Sequence, residues 1–157
     1  MGGGIRGDSH VDETPPVAAL LRRPALLIRH EVLAGLRAAG FTDILPAHLG
    51  VFQYPGPDGQ RPGMLAVRNR TSKQAMNHLL HQLETAGYLT REDHPEDRRT
   101  RVVRLTERGW AAARTIEATV RSIEDAWADL LGEDTYLELR KAMARLEDVL
   151  DAAANGR

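Results

Sequence analysis

The sequence predicts a mainly α-helical chain with one small β-hairpin, an α+β class in which the hairpin follows directly on a capped helix. Three observations carry this. Apolar residues recur every three or four positions through most of the chain. Two short β-prone runs flank a single turn, His94-Pro95-Glu96-Asp97. Gly40, Gly87 and Gly132 stand where periodic runs stop, as helix-ending glycines do. A helix, a basic hairpin and a new helix start, in that order over residues 71–109, make a winged helix-turn-helix.

Taken in order, Pro15-Pro16 sets a helix entry, and Leu20, Leu27, Leu33 and Leu36 continue to Gly40. Pro24 interrupts this run, so the helix is either kinked there or begins there. Thr42 is a candidate cap for a short helix over about residues 43–52, carrying Ile44, Leu45, Leu49 and Val51. Residues 54–63 hold three prolines and three glycines and read as a loop. Pro62 then opens a short helix with Met64, Leu65 and Val67. Thr71 or Ser72 caps the next helix, over residues 72–86, whose Ala75, Met76, Leu79, Leu80 and Leu83 share one face. Strands start at Tyr88 and Arg99, the second placing Val103 and Leu105 on one face. Thr106 caps a long helix with Trp110, Ala113, Ile116, Val120, Ile123, Trp127 and Leu130 on its stripe. A last helix, from about residue 134 to 153, repeats the pattern with Tyr136, Leu139, Met143, Leu146 and Leu150.

The chain of 157 residues thus reads as one domain. It comprises a flexible tail over 1–14, an N-terminal dimerisation helix over 15–40, a winged helix-turn-helix DNA-binding region over 41–108, and C-terminal dimerisation helices over 109–157. The two C-terminal stripes approximate a heptad seam suited to a partner helix; packing on their own domain is the alternative. Leu20, Leu27, Leu139, Met143, Leu146 and Leu150 are the candidate dimer residues.

Net charge is −1, yet it is unevenly placed. Residues 61–108 hold 10 Lys+Arg against 6 Asp+Glu, a local +4, while residues 1–60 and 109–157 carry −1 and −4. Positive charge therefore gathers where a phosphate-binding surface needs it. No apolar run is long enough to span a bilayer, and the N-terminal residues lack the hydrophobic stretch of a signal peptide. The absence of cysteine excludes disulfides and thiol chemistry, and fits a cytoplasmic protein. No HExxH, glycine-rich phosphate loop or Gly-x-Ser-x-Gly elbow is present, so catalysis is not expected.

Polar residues at the start of the 72–86 helix are those a major-groove helix presents: Ser72, Lys73, Gln74, Asn77 and His78, with Arg70 and Thr71 just before. Gln and Asn pair bidentately with adenine, and Lys meets guanine acceptors. Arg91, Arg98, Arg99, Arg101 and Arg104 cluster on the hairpin, where guanidinium suits phosphates and narrow minor grooves. Asp97, two residues before Arg99, can orient it.

Leu65-Ala66, Ser72, Leu79-Leu80, Leu83-Glu84, Gly87-Tyr88-Leu89, Arg91, Asp97, Arg99, Val103, Leu105-Thr106 and Gly109 together resemble the MarR family of bacterial transcriptional regulators. The resemblance is close over residues 64–109. It implies a homodimer on a pseudo-palindromic double-stranded DNA site, with Arg99 in the minor groove and Asp97 orienting it. It also implies a small aromatic effector bound between the dimer helices and the winged region that weakens DNA binding; the reading is a repressor released by that ligand, with no cofactor expected. His30 and His48 are the candidate pocket residues. The proline-glycine loop before Met64 is longer than the family's usual connection.

Two alternatives stand beside this reading. His78 and His81, three residues apart on one helix, are a candidate zinc pair of a metal-responsive regulator. A protein-interaction dimer could instead use the arginines on an acidic partner.

Overall fold

The computed structural model describes residues 15–53, 59–94 and 97–155, and for residues 94, 97–100 and 154–155 the backbone alone. The expected tail over 1–14 and residues 54–58 of the proline-glycine loop lie outside the described residues. In chain order the elements are α1 (Val17–Ala38), a 3₁₀ turn (Pro46–His48), α2 (Leu49–Phe52), α3 (Pro62–Arg68), α4 (Lys73–Thr85), β1 (Leu89–His94), β2 (Asp97–Leu105), α5 (Glu107–Leu131) and α6 (Glu133–Asn155).

α1 starts at Val17 and runs through Pro24, so the helix does not begin at the proline. The second helix is shorter than its sequence pattern suggests. Thr42 and Asp43 lie in a turn, and Leu45 is extended at φ −93° and ψ 160°. Pro46 explains this, because the residue before a proline is pushed out of the helical region. The helical path can only start at Pro46 itself.

Ser72 rather than Thr71 caps α4, its Oγ accepting from the Ala75 N–H at 3.0 Å. The helix ends as a glycine stop should. Gly87 takes φ +79°, its N–H bonds the Glu84 carbonyl, and the Tyr88 N–H bonds that of Leu83. Thr106 joins this stop to the next start: its hydroxyl donates to the Gly87 carbonyl at 2.7 Å and accepts from the Gly109 N–H at 3.1 Å. Gly109 is required by contact, since a Cβ there would stand 2.0 Å from the Tyr88 carbonyl oxygen.

β1 and β2 pair antiparallel from Leu89↔Leu105 to Asp93↔Arg101, then jump to His94↔Asp97, so residues 98–100 sit in a bulged stretch. The exit of the long loop docks on the far edge of β2, where Gln60 and Val103 exchange both backbone bonds at 2.9 and 2.8 Å. This docking was not expected. It places backbone over a strand that would otherwise have an open edge, and Val102 is buried as well as Val103, where one buried face had been anticipated.

The core joins Val32 and Leu36 of α1, Val51 and Phe52 of α2, Leu65, Met76, Leu80 and Leu83 of the helix-turn-helix, Tyr88, Leu89, Val103 and Ala112. On α4, Met76, Leu80 and Leu83 are buried, whereas Ala75 is exposed and Leu79 is half-buried. Each fully buried side chain of this size contributes about 1.5–3 kcal/mol. Contacts between α1 and α5 close the body. Among the described residues, no helix is long and apolar enough to cross a membrane.

Candidate nucleic-acid interface

α3, the turn through Arg70 and α4 form the helix-turn-helix, with Arg70 in the left-handed region at φ +48°. Helical residues advance by about 100°. With Met76, Leu80 and Leu83 pointing inward, Gln74, His78 and His81 therefore fall on the opposite side. Asn77 and Glu84 lie along one flank and Gln82 along the other. Arg70, Ser72, Lys73, Gln74, Asn77 and His78 are exposed, and Thr71 is half-buried. The sequence reading of an outward polar face thus coincides with its placement. Ser72 commits its oxygen to the cap and keeps its hydroxyl hydrogen to donate.

Both flanks of α4 are held by residues from elsewhere. Arg91, expected at the nucleic-acid surface, contacts α4. Its Nη2 donates to the Asn77 carbonyl oxygen at 3.0 Å and its Nη1 meets Asn77 Oδ1 at 3.5 Å. Its Nε stands 3.2 Å from Glu84 Oε2, an ion pair without hydrogen-bond alignment. Strand alternation gives the reason: Arg91 lies on the same face as buried Leu89, opposite buried Val103. On the second flank, His48 is buried at 3% exposure. Its Nδ1 accepts from the Leu45 N–H at 3.1 Å, so its Nε2–H donates to Gln82 Oε1 at 2.9 Å. The Gln82 amide then bonds His78 Nε2 at 3.2 Å.

Of the hairpin arginines, Arg101 is 70% exposed with Asp93 opposite at 4.0 Å, and Arg104 pairs with Glu92 at 3.1 Å. The side chains of Asp97, Arg98 and Arg99 lie outside the described residues; their backbone forms the distal part of β2.

A third network, illegible in sequence, fixes the root of the wing. The Tyr88 hydroxyl donates to Asp43 Oδ1, and Arg108 Nη2 bonds Asp43 Oδ2 and the Tyr88 oxygen, each at 3.0 Å. The same guanidinium lies 4.5 Å over the Tyr88 ring. The hydrogen bond from Tyr88, then a backbone hydrogen bond at Asp43 and the Arg108 charge, lower the Asp43 pKa below its ordinary 3.8 despite desolvation by burial. Burial, aided by the Asp43 hydrogen bond, raises that of Tyr88. A depressed carboxylate contributes stability that is present above its unfolded pKa and lost as pH falls through its folded value. Thermal stability should therefore drop more steeply below about pH 4 in the native protein than in Asp43→Asn, measured as Tm against pH. Parallel curves would show that Asp43 contributes nothing through its charge.

The candidate pocket histidines do not meet. His30 is exposed beside Glu31, and His48 is engaged as above. Neither lines the cleft of about 670 Å³ between α1, α2 and α5, which is walled by Ile28, Phe52, Trp110, Ile116 and Val120 with Arg114 beside them. Among the described residues, no group of three or more His, Asp or Glu side chains is placed to hold a metal, and His78 and His81 find no third partner.

Comparison with known proteins gives concordant results. The MarR family profile matches residues 53–100. The chain is 34% identical over 131 residues to the HTH-type transcriptional repressor Rv2887 of Mycobacterium tuberculosis, covering 83% of this chain and 93% of that protein. The structure of Rv2887 in complex with DNA is similar at a TM-score of 0.61 and 29% identity, over 85% of this chain and 98% of that one. Its complex with salicylic acid gives 0.62 and 28%, over 87% and 99%. A crystal structure of MarR reaches 0.73 at 26% identity, over 95% of this chain and all of the other.

Proposed function

The chain belongs to the MarR family of transcriptional regulators, and on that premise we propose that it is a DNA-binding transcriptional repressor acting as a homodimer on a pseudo-palindromic operator. Its role is regulation rather than catalysis. The observation that carries the reading is α4: a capped helix with a buried apolar face, an exposed polar face from Ser72 to His81, and braces on both flanks. α4 of each subunit enters a major groove, and the wing, through Arg98, Arg99 and Arg101, reaches the flanking backbone or minor groove. Arg91 serves this surface as a strut between wing and helix.

A small aromatic acid is the proposed effector. Salicylic acid is bound by the relative Rv2887. The cleft beside α5 offers aromatic and aliphatic walls, with Arg114 and Arg121 to meet a carboxylate beside Glu117 and Glu124. A ligand at this junction represses or releases only by favouring one arrangement of the two DNA-binding units over the other. A DNA-binding regulator works where the chromosome is, so the cytoplasm is the proposed location.

Selection of bound duplexes from a random pool tests the function. Recovery of an inverted repeat with half-sites about ten base pairs apart, weakened by salicylate, is the expected result. Enrichment of no sequence at low salt would overturn it.

Asn77 gives a finer test. Arg91 orients its Oδ1, and its amide hydrogens have no partner among the described residues. Asn77→Ala should change the preferred base at one position per half-site, with about 1 kcal/mol lost on the best duplex. A uniform loss on all sequences would make Asn77 a backbone contact.

A further inference from the structure

The chain of bonds from Leu45 to His78 has a direction, and the direction has a consequence for reading DNA. A neutral imidazole carries one N–H. Because buried His48 accepts at Nδ1 from the Leu45 N–H, its single N–H is at Nε2 and points to Gln82 Oε1. That assigns the Gln82 amide: its oxygen is taken, and its NH₂ is the group facing His78 Nε2. His78 Nε2 must then accept, which leaves the His78 proton on Nδ1. An unconstrained histidine favours the other tautomer. Gln82 and His78 are both exposed on α4, one turn apart, while His48 is anchored 34 residues earlier in the 3₁₀ turn.

We infer that His48 is a positioning residue of the DNA-reading surface, holding His78 through Gln82 as an Nδ1–H donor that selects a base edge able to accept. With Nε2 occupied, His78 cannot accept from the amino group of cytosine or adenine. It can donate to a purine N7 or guanine O6 in the major groove. One base pair in each half-site is thereby discriminated by a residue whose proton is placed from inside the core. The role rests on α4 being the reading helix, as proposed above.

Two measurements on the full-length protein decide it. Two-bond ¹H–¹⁵N spectra of ¹⁵N-histidine-labelled protein, above the pH of imidazole titration, report each tautomer. His78 should be Nδ1–H in the native chain and Nε2–H in Gln82→Leu, a change at an exposed position outside the apolar core cluster. His48→Leu should release His78 in the same way. Duplexes from the selection, varied one base pair at a time, should show a preference of about fivefold for an accepting edge at one position, the worth of one neutral hydrogen bond. Gln82→Leu should lose that preference and keep the others. An Nε2–H tautomer in the native chain, or an unchanged preference in Gln82→Leu, overturns the proposal. If no duplex is selected, the reading of α4 falls and this role with it; an Nδ1–H signal for His78 would then place the failure in that reading and not in the relay.

Discussion

Removal of residues 133–157 should convert the dimer to a monomer and lower DNA affinity by at least about a hundredfold, while the winged region stays folded. The grounds lie in what α6 leaves uncovered. Among the described side chains of α6, Tyr136 is the one apolar residue buried; Leu139, Met143, Leu146 and Leu150 remain 37–47% exposed in the single chain. A 23-residue helix held by one buried residue and a short contact with α5 would be marginal on its own. The same exposure continues on α1, at Leu20 and Leu27, and at the end of α5, at Leu130. Three elements thus present one class of surface that a second copy would cover. None of the buried core cluster comes from α6, so truncation removes the seam and spares the fold. Loss of DNA affinity then follows from bivalency, since one half-site no longer tethers the other. Sedimentation of the truncated chain checks the first step, with Met143→Glu as a milder variant should the exposed α1 face promote aggregation. A truncated chain that remains a stable dimer would remove these helices from the interface.

How far the sequence foretold this arrangement depends on whether the decisive contact was local. Caps and stops were legible because their chemistry lies within four residues: Ser72 with Ala75, Thr106 with Gly109, Gly87 at a positive φ. The outward face of α4 was legible because period 3.6 fixes it once Met76, Leu80 and Leu83 are known to be buried. The start of the second helix was misread because Thr42 looked like a cap, and the constraint imposed by Pro46 on Leu45 outweighed it. The two braces of α4 were missed because they join residues 14 and 34 positions apart, and no periodicity reports such pairs. Arg91 alone carried a usable signal. Counting alternation from Leu89 places it on the face toward α4, so a charged residue at that position meets a partner on that helix.

That distinction among the arginines sharpens the second large expectation. Arg99→Ala should weaken operator binding by about 1–3 kcal/mol per subunit with no change in Tm. Among the described hairpin arginines, Arg91 contacts α4 and Arg104 pairs with Glu92, so the expectation turns to the distal end of the hairpin. Arg99 stands there, in the stretch of β2 between Asp97 and Arg101 where the pairing register jumps. The resemblance to MarR regulators assigns it to the minor groove, where an A-tract narrows the groove and deepens its negative potential. A minor-groove arginine and a phosphate-bound one differ in two readouts. Loss of a phosphate contact weakens all sequences alike and lowers the salt slope by about one. Loss of a groove-inserted guanidinium costs most on duplexes with A·T-rich flanks and flattens the preference for them. The second pattern is the expected one. Asp97→Ala should reproduce part of it, because the resemblance to MarR regulators gives Asp97 the part of orienting that guanidinium. Full affinity in Arg99→Ala would take the wing out of the recognition surface and leave α4 to read the operator alone.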